Sequence, residues 1–367
     1  MTILPLDGVS VLDFSTLLPG PLASLILSEA GAAVTKLERP GSGEDMRHYP
    51  PDWDGHSAIF ALLNSGKSAE ALDLKSPEAL GRLEPMIKGA DVLIEQFRPG
   101  VMERLGLGYE ACRRINPKLI YCSITGYGQN GARAGKAGHD LNYMADAGLA
   151  ALTAAAQGPA QVPPVLAADI AGGSYPAVIN ILLALRQRDR TGEGCHLDIA
   201  MTDNLFPFAF WAMAGGLAAK DWPSPGQGML AGGSPRYRLY RAACGGLVAV
   251  AALEDKFWAA FTSAIGLEET GGAPEQVIAR IDEIIGSRTA EHWQEVLGKA
   301  DCCCNIVRGL DEAMNDADFQ ARGLFDYRVE GPSGASLTAL PLPLAPRFRA
   351  PASEARAFPE LKEPDKD

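Results

Sequence analysis

The sequence predicts an α/β fold with a mostly parallel sheet covered by helices on both faces. Short apolar runs with strand character alternate with helical runs through the first half of the chain. Each strand is apolar along most of its length, which is typical of strands buried on both faces of a sheet. Strand–helix–strand repetition of this kind produces parallel sheets with right-handed crossovers.

The elements of the first half can be placed in chain order. The predicted strands are VSVLDFS, AAVTKLE, DVLIEQF and KLIYCSIT. The predicted helices are GPLASLILSEAG, which ends at glycine, then SPEALGRLEPMIKGA, and further helix up to about Pro117. Turn and loop residues separate these runs, so each run is a candidate element of one repeating unit.

Helical character dominates from about 170 to 220, in AVINILLALRQRDR and NLFPFAFWAMAGGLAA. The Gly/Pro/Ser-rich stretch at 221–236 is then a boundary or a loop over a site. The strand-like GLVAVAAL and three helix candidates follow, the third with Thr289 as a possible N-cap, and they predict a smaller second domain. The tail, rich in proline and charge, is expected to run extended over the surface with a partly disordered end.

Bulk composition narrows the function classes. The 367 residues are enough for two domains with a large core. A formal charge of −12 disfavours nucleic acid and anionic membranes as partners. The N-terminus lacks the pattern of a secretory signal, and PAVINILLALRQR is too short to span a bilayer, so we expect a cytoplasmic protein.

The seven cysteines are expected to be free thiols in a reducing compartment. Adjacent Cys302, Cys303 and Cys304 cannot readily converge on one metal, and no Cys-x-x-Cys or paired His spacing supports a metal site. We interpret them as small residues in a strand or turn, with a thiol lining a pocket as the alternative.

Gly126, Gly128 and Gly131 match the G-x-G-x-x-G spacing directly after a predicted strand. A dinucleotide-binding turn also needs a helix that begins inside the motif. The following QNGARAGKAGHD has too many glycines and no apolar periodicity, so the sequence argues against a nicotinamide site. We predict a strand-end loop in which glycine allows close approach of a ligand.

His139 and Asp169 are the two candidates for acid/base chemistry. His139 follows this glycine-rich loop, and histidine exchanges a proton most readily near neutral pH. Asp169 lies in LAADIAGG at a predicted helix start, where an aspartate is either an N-cap or a group that reaches a substrate. The residues alone leave both a structural and a functional interpretation open.

Several cations follow predicted strands in an otherwise acidic chain. They are Lys36, Arg39, Lys67, Arg98 and Arg104. Taken singly, each could be an ordinary solvated surface charge. Because ligands of doubly wound sheets bind at the carboxyl ends of strands, the cluster suggests a phosphate-bearing ligand. A Walker motif is absent from the sequence, so a CoA-type phosphate fits better than a nucleoside triphosphate.

Together these motifs resemble the family III CoA-transferase superfamily and, within it, the α-methylacyl-CoA racemases. The resemblance runs from LPLDGVSVLDFS to about Tyr327. The matching motifs are GAAVTKLERPGSG, NSGKSAEALDLKSPEAL, ADVLIEQFRPGVMERLGLG, LIYCSITGYGQNG, AGHDLNYMADAG, LAADIAGG, RTGEGCHLDIAM and LEDKFWAAF.

The resemblance implies an architecture. It implies a Rossmann-like large domain at 1–200 and 328–367, a linker at 201–235 and a smaller α+β domain at 236–327. It also implies an interlocked homodimer. CoA enters as part of the substrate rather than as a bound cofactor, and further contacts to it are implied for Gly138, Asp140 and Tyr143. Ser65 and Ser68 depart from the racemase pattern and leave the exact CoA contacts open.

Two activities follow from the resemblance. A racemase would interconvert R and S 2-methylacyl-CoA through an enolate by 1,1-proton transfer, with His139 and Asp169 as bases and Glu254 assisting the histidine. A CoA-transferase would use Asp169 to form an acyl anhydride and then an aspartyl-CoA thioester. Transferases commonly carry glutamine where Leu18 stands, which favours the racemase. A catalytically idle acyl-CoA-binding protein is a third hypothesis.

The chemistry of racemisation is consistent with this pair of residues. One base cannot easily serve both faces of the α-carbon, so two different bases are expected. The enolate oxygen needs a donor, for which we predict the backbone N–H of Asp169 at a helix start. The acyl group stays open, because Phe208, Phe210, Trp211 and Met229 could equally line a channel or pack in a core.

Overall fold

The computed structural model describes residues 3–153 and 161–363. Its strands are β1 (Ser10–Asp13), β2 (Ala33–Glu38), β3 (Asp52–Trp53), β4 (His56–Ser57), β5 (Ser68–Ala71), β6 (Val92–Glu95), β7 (Ile120–Thr125), β8 (Cys195–Ala200), β9 (Tyr237–Arg241), β10 (Leu247–Ala251), β11 (Cys304–Ile306), β12 (Arg328–Glu330), β13 (Ser336–Thr338), β14 (Arg356–Ala357) and β15 (Leu361–Lys362).

The helices complete the inventory of elements. The α-helices are α1 (Pro19–Glu29), α2 (Ala58–Asn64), α3 (Ala79–Gly89), α4 (Val101–Arg104), α5 (Tyr109–Ile115), α6 (Asp140–Asp146), α7 (Leu149–Thr153), α8 (Tyr175–Thr191), α9 (Phe210–Ala219), α10 (Asp255–Ile265), α11 (Pro274–Gly286), α12 (Ala290–Leu297), α13 (Leu310–Met314) and α14 (Ala317–Ala321). Shorter 3₁₀ or π-helical turns cover Asp45–His48, Ala168–Ser174, Asp203–Ala209, Met229–Gly233 and Pro346–Phe348.

The chain forms two compact units, which we call the large unit and the small unit. The large unit consists of residues 1–147, 165–207 and 317–367, and the small unit consists of residues 148–164 and 208–316. The domain limits predicted at 200, 235 and 327 stay a prediction. The helical character predicted for NLFPFAFWAMAGGLAA is confirmed, but the run is divided into a 3₁₀ turn, which contains Pro207, and α9. Proline inside a helix removes a backbone hydrogen-bond donor and breaks the helix.

A parallel sheet of seven strands forms the centre of the large unit, as the sequence predicted. Its order is β15-β5-β2-β1-β6-β7-β8, and every pair is parallel. Without the added edge strand β15, the strands follow the order 3-2-1-4-5-6 of a doubly wound sheet. The order reverses between β1 and β6. All four residues of β6 and all six of β7 are buried, which explains their continuous apolar sequences.

Helices cover this sheet. Leu83 and Ile87 of α3 pack with Leu93 and Tyr121 of the sheet in one core cluster. Elsewhere, α1 is buried along its whole length and contacts both α8 and the preceding turn Ala168–Ser174. Among described residues, Ala168–Thr191 is the helical segment long and apolar enough to cross a membrane, and 44% of its most apolar window is buried inside the fold. The expectation that this apolar run is too short to span a bilayer is therefore wrong by length, although a core helix of a soluble protein meets the same criterion.

The small unit contains an antiparallel sheet in the order β11-β10-β9. Helices α10, α11 and α12 confirm the three predicted helices and share a core with the sheet that includes Tyr240, Phe261 and Trp293. Thr289 caps α12 as predicted, because its hydroxyl oxygen accepts the N–H of His292 at 3.4 Å. The cysteine run is a turn that enters β11 at Cys304.

The C-terminal segment is more ordered than the predicted surface tail. Strand β12 pairs with β13 and β14, and β15 pairs with β5 at the edge of the main sheet. Arg349 of this segment is buried. The predicted disorder of the extreme end concerns 364–367, which lie outside the described residues.

Candidate functional site

A cavity of about 370 Å³ opens at the carboxyl ends of β6 and β7 in the large unit, and we call it the His139 cavity. It contains both predicted acid/base residues, together with Leu17 from the loop after β1, Gln96 after β6 and Thr125 at the end of β7. The strand order reverses between β1 and β6, so the loops after these two strands run in opposite directions and leave a crevice between them. Doubly wound sheets bind their ligands in this crevice.

His139 is the N-cap residue of α6, at the end of a loop that stays non-helical from Gly126, as predicted. Its backbone N–H donates to Oδ1 of Asn142 at 3.0 Å, and its carbonyl accepts the N–H of Asn142 at 2.8 Å. Its side chain is exposed and lines the cavity. The backbone of His139 is therefore fixed while its imidazole remains available to a substrate.

Two glycines explain why the loop can approach α6 so closely. The ring of Tyr143 occupies the space where a Cβ of Gly126 or Gly138 would lie, at 2.3 Å and 2.7 Å from its Cε1 atom. Any side chain at these positions would displace the tyrosine. Gly138 and Tyr143 both line the His139 cavity, and their predicted contact with CoA stays a prediction.

Asp169 lies inside the π-helical turn Ala168–Ser174, which we call the Asp169 turn. The N-cap position is Ala167, so the predicted N-cap role of Asp169 is wrong. Burial raises the pKa of Asp169 to about 6, helped by the charge of Asp140 and opposed by His139. A carboxyl group with this pKa can both hold and release a proton near neutral pH.

The backbone N–H of Asp169 is not the free donor that the sequence predicted. It donates to Oδ1 of Asp140 at 3.0 Å, and the N–H of Ala168 donates to the same oxygen at 2.7 Å. Asp140 is buried, and its carboxylate holds the start of the Asp169 turn against α6. A direct contact of Asp140 with CoA stays a prediction.

Close packing of the Asp169 turn depends on the two glycines that follow. A Cβ on Gly172 would lie 2.5 Å from the carbonyl oxygen of Met201, and one on Gly173 would lie 3.1 Å from Cβ of Pro19. Ser174 then donates its hydroxyl to the carbonyl of Pro19 at 2.8 Å. The sequence AGGS therefore places the Asp169 turn directly against α1 and the loop after β8.

A second cavity of about 740 Å³ lies along the carboxyl ends of β1, β2, β5 and β6, and we call it the Arg39 cavity. Arg39 and Arg104 line it, as does Lys75, which the sequence analysis missed. Lys75 could have been found, because it closely follows β5. Leu17 and Phe97 line both cavities, so the two adjoin. Of the other predicted cations, exposed Arg98 lines the His139 cavity.

Lys36 and Lys67 are buried, so the interpretation of these two as solvated surface charges is wrong. The ammonium of Lys36 donates to the carbonyl of Ser15 at 2.7 Å and lies 3.4 Å from the Glu44 carboxylate. The lysines stabilise the base of the loop after β1, and their predicted contact with CoA stays a prediction.

Lys67 contacts the two elements that flank this loop, β1 and α1. Its ammonium donates to Asn64 at 2.8 Å and to the carbonyl of Pro21 at 2.9 Å, and it lies 3.4 Å from Asp13. Burial lowers the pKa of Lys67 to about 7. Asp13 opposes this shift, because a buried anion favours the charged form of the ammonium.

Glu254 belongs to the small unit, where it is the exposed N-cap residue of α10. Its carbonyl accepts the N–H groups of Phe257 and Trp258 at 3.0 Å and 2.9 Å. Its predicted assistance to His139 stays a prediction.

Known proteins resemble this chain over most of its length. The model of the family "CoA-transferase family III" matches residues 6–363. The chain is similar to α-methylacyl-CoA racemase of Homo sapiens, with 34% identity over 332 residues that cover 87% of this chain and 82% of that protein. It is also similar to acetyl-CoA:oxalate CoA-transferase of Acetobacter aceti, with 31% identity over 343 residues that cover 87% and 85%.

Solved structures show the same fold. A CaiB/BaiF family protein from Brucella suis is 28% identical and superposes with a TM-score of 0.79, covering 93% of this chain and 92% of that one. The similar proteins of known activity therefore include both a racemase and a CoA-transferase.

Proposed function

Because the chain belongs to CoA-transferase family III, we propose that it is a 2-methylacyl-CoA racemase that interconverts R and S thioesters by 1,1-proton transfer. The observation that carries this proposal is that His139 and Asp169 line one cavity, where the pKa of Asp169 is raised to about 6. Removal and return of an α-proton require two acid/base groups that serve the two faces of the α-carbon, and a histidine with a carboxyl group can fill these roles.

Each direction of the reaction would begin from a different protonation state. In one direction ionised Asp169 removes the α-proton and protonated His139 returns a proton to the opposite face. In the other direction neutral His139 removes the proton and the carboxylic acid of Asp169 returns it. The electron pair of the broken C–H bond moves onto the thioester oxygen in the enolate and returns to the α-carbon when the new C–H bond forms.

The adjoining cavities support an acyl-CoA as the substrate. Arg39, Lys75 and Arg104 line the Arg39 cavity and supply cations that can bind the CoA phosphates. The same lining carries four carboxylates, and Arg39 pairs with one of them, Asp45, so the phosphates would have to compete for that guanidinium. The pantetheine arm would pass Leu17 and Phe97, which line both cavities, and bring the thioester to His139 and Asp169. CoA is then part of the substrate, and no further cofactor enters the proposed reaction.

The second candidate is a CoA-transferase in which Asp169 attacks the thioester. The similarity to acetyl-CoA:oxalate CoA-transferase favours it. The raised pKa of Asp169 would slow the transferase reaction at acidic pH, because the attacking carboxylate must be ionised. The two reactions differ in His139, which only the racemase requires as a base.

The deciding experiment incubates one enantiomer of a 2-methylacyl-CoA in deuterium oxide. We expect α-deuterium incorporation and loss of optical rotation, with an acid limb near pH 6 in the direction that starts from ionised Asp169. Asp169→Asn and His139→Gln should each lower the rate about 10²- to 10⁴-fold. Exposed Asp189→Asn, outside the cavity, is the matched control and should change nothing.

The transferase requires its own measurement. Hydroxylamine is added with acyl-CoA and an acceptor carboxylate, and the modified residue is located by mass spectrometry. Trapping at Asp169, with CoA exchange that survives His139→Gln, would replace the racemase by the transferase. If α-exchange and CoA exchange are both absent in the wild type while acyl-CoA still binds, the protein is the third hypothesis, an acyl-CoA-binding protein.

We further propose that the protein is a homodimer. Tyr175, Ile179, Leu182 and Leu183 form one exposed stripe of α8, with exposed fractions of 36%, 57%, 44% and 63%. An apolar stripe of this kind is typical of an association surface. Leu182→Glu with Leu183→Glu should produce a folded monomer in sedimentation velocity, and a wild-type monomer would refute the proposal. The cytoplasmic location stays a prediction.

A further inference from the structure

Gln96 and Thr125 line the His139 cavity and have no part in the proton transfers described above. They lie at the ends of neighbouring strands, since Gln96 directly follows β6 and Thr125 is the last residue of β7. Adjacent parallel strands end at the same edge, so both residues reach the cavity. Because Glu95 pairs with Ser123, Gln96 is level with Ile124, and the side chains of Gln96 and Thr125 come from opposite faces of the sheet edge.

Both candidate reactions need a hydrogen-bond donor for the thioester oxygen in the His139 cavity. In the racemase, the thioester oxygen becomes an enolate oxygen when the α-proton leaves. In the transferase, the same oxygen becomes an alkoxide when Asp169 attacks the carbonyl carbon. Preorganised donors aimed at such an oxygen supply a large share of the rate acceleration. The N–H of Asp169 does not serve without rearrangement, because it donates to Asp140 at 3.0 Å.

The side-chain amide of Gln96 has a fixed orientation. Its Oε1 accepts the backbone N–H of Gly20 at 3.0 Å, an assignment that only the carbonyl end of the amide can satisfy. The amide nitrogen therefore faces away from Gly20. Within the part of the chain that the structure describes, no acceptor is recorded for it, so its two N–H groups are available to a ligand.

The hydroxyl of Thr125 is an unsatisfied buried group. The residue is 6% exposed, and within residues 3–153 and 161–363 its Oγ1 has no hydrogen-bond partner. Its backbone is held in place because its carbonyl accepts the N–H of Met201 at 2.8 Å. A buried hydroxyl without a partner is costly and uncommon in a folded protein. Thr125 lines the His139 cavity while its Oγ1 atom is itself covered, so the side chain must rotate for a ligand oxygen to become the missing acceptor.

We propose that Gln96 and Thr125 together bind the thioester carbonyl oxygen of the acyl-CoA and stabilise the negative charge that develops on it. This inference rests on the proposed acyl-CoA chemistry, but it holds for both candidate reactions. The two residues donate hydrogen bonds only, so no proton, electron or group is transferred to them.

The first test measures kcat and KM for α-deuterium exchange. Thr125→Val removes the hydroxyl and keeps the shape of the side chain, whereas Thr125→Ser keeps the hydroxyl. Loss of one such donor costs about 10²- to 10³-fold in kcat. We expect that loss for Thr125→Val with little change in KM, and recovery to within about 10-fold for Thr125→Ser.

Gln96→Glu tests the second donor. It retains an oxygen for the N–H of Gly20 and replaces the donating amide nitrogen by a carboxylate oxygen. We expect a loss of kcat at least as large as that of Thr125→Val. The matched control for the added charge is Gln294→Glu on the exposed surface of α12, which should leave kcat unchanged.

The second test does not depend on turnover. Calorimetry compares the affinity for an acyl-CoA thioester with that for the thioether analogue, which lacks the carbonyl oxygen. We expect the wild type to prefer the thioester, and Thr125→Val and Gln96→Glu to lose that preference. If the wild type shows neither α-exchange nor CoA transfer, the proposed function fails. The comparison of thioester and thioether affinities then decides by itself whether Gln96 and Thr125 bind the carbonyl oxygen. A variant that keeps wild-type kcat and the thioester preference excludes its residue as a donor.

Discussion

Asp169 and Asp146 show how surroundings set the chemistry of one residue type within the same unit. Hydrogen bonds from Lys136 and Tyr127 hold the pKa of Asp146 below its usual range. Burial and the neighbouring charge of Asp140 raise the pKa of Asp169 to about 6. The first carboxylate is therefore a fixed anion at neutral pH, while the second changes its protonation state in the range where an acid/base catalyst works.

The raised pKa of Asp169 predicts a cost in stability. A raised folded-state pKa contributes stability that is complete below the unfolded value of 3.8 and is lost as the pH rises through about 6. Asp169→Asn, which carries no charge, should therefore gain stability relative to wild type at pH 8 but not at pH 4. The gain is at most about 3 kcal/mol, less the part screened by solvent.

Urea unfolding of both proteins at pH 4 and pH 8 measures this difference. Asp189→Asn, an exposed aspartate, is the control and should follow the wild type at both pH values. If the free energy of unfolding changes equally in the wild type and in Asp169→Asn between the two pH values, burial does not destabilise the ionised carboxylate of Asp169.

At the scale of elements, the Asp169 turn depends on a residue without a side chain. Gly172→Ala would place a Cβ 2.5 Å from the carbonyl oxygen of Met201, so the turn must move away from the loop after β8. Forcing an extra methyl into a packed site costs about 1–3 kcal/mol. We expect α-exchange to fall more than stability does, because the displaced turn carries Asp169.

Gly81→Ala is the matched control for this substitution. Gly81 lies within α3 and has open space where its Cβ would be, so alanine should leave exchange unchanged and stabilise the helix slightly. Wild-type exchange and stability in Gly172→Ala would show that the turn is not held by this contact.

Most elements of the large unit could be predicted from sequence, and the failures have identifiable causes. Strands β6 and β7 and helix α1 could be predicted because their own apolar sequences indicate buried elements. The Asp169 turn does not, because Asp140 and Met201 determine it, and both are distant in sequence. Lys36 was misread for the same reason: its partners Ser15 and Glu44 belong to other loops, and a lysine on its own predicts exposure.

At the scale of the whole molecule, the C-terminal segment attaches to the beginning of the chain. Glu29 of α1 is buried and lies 2.8 Å from Arg349 and 3.1 Å from Arg356. Arg349 also stacks on Tyr327, with its guanidinium carbon 3.5 Å from the ring centroid. The sequence could not reveal this cluster, because Glu29 is 320 and 327 residues from the two arginines. The proline-rich composition of the segment indicates only an extended chain.

This arrangement predicts that one substitution in α1 loosens the opposite end of the chain. Glu29→Gln removes the only partner recorded for both guanidinium groups in the ion-pair network of the described residues. Leaving a buried charge without its partner costs about 3–5 kcal/mol. We expect a loss of that size in urea unfolding, accompanied by faster hydrogen exchange at Leu361 and Lys362, where β15 pairs with β5. Glu295→Gln is the control, because the exposed pair with Lys299 contributes at most about 0.5 kcal/mol. Equal, small effects of the two substitutions would mean that the strand pairing of β15, rather than Glu29, holds the C-terminal segment on the sheet.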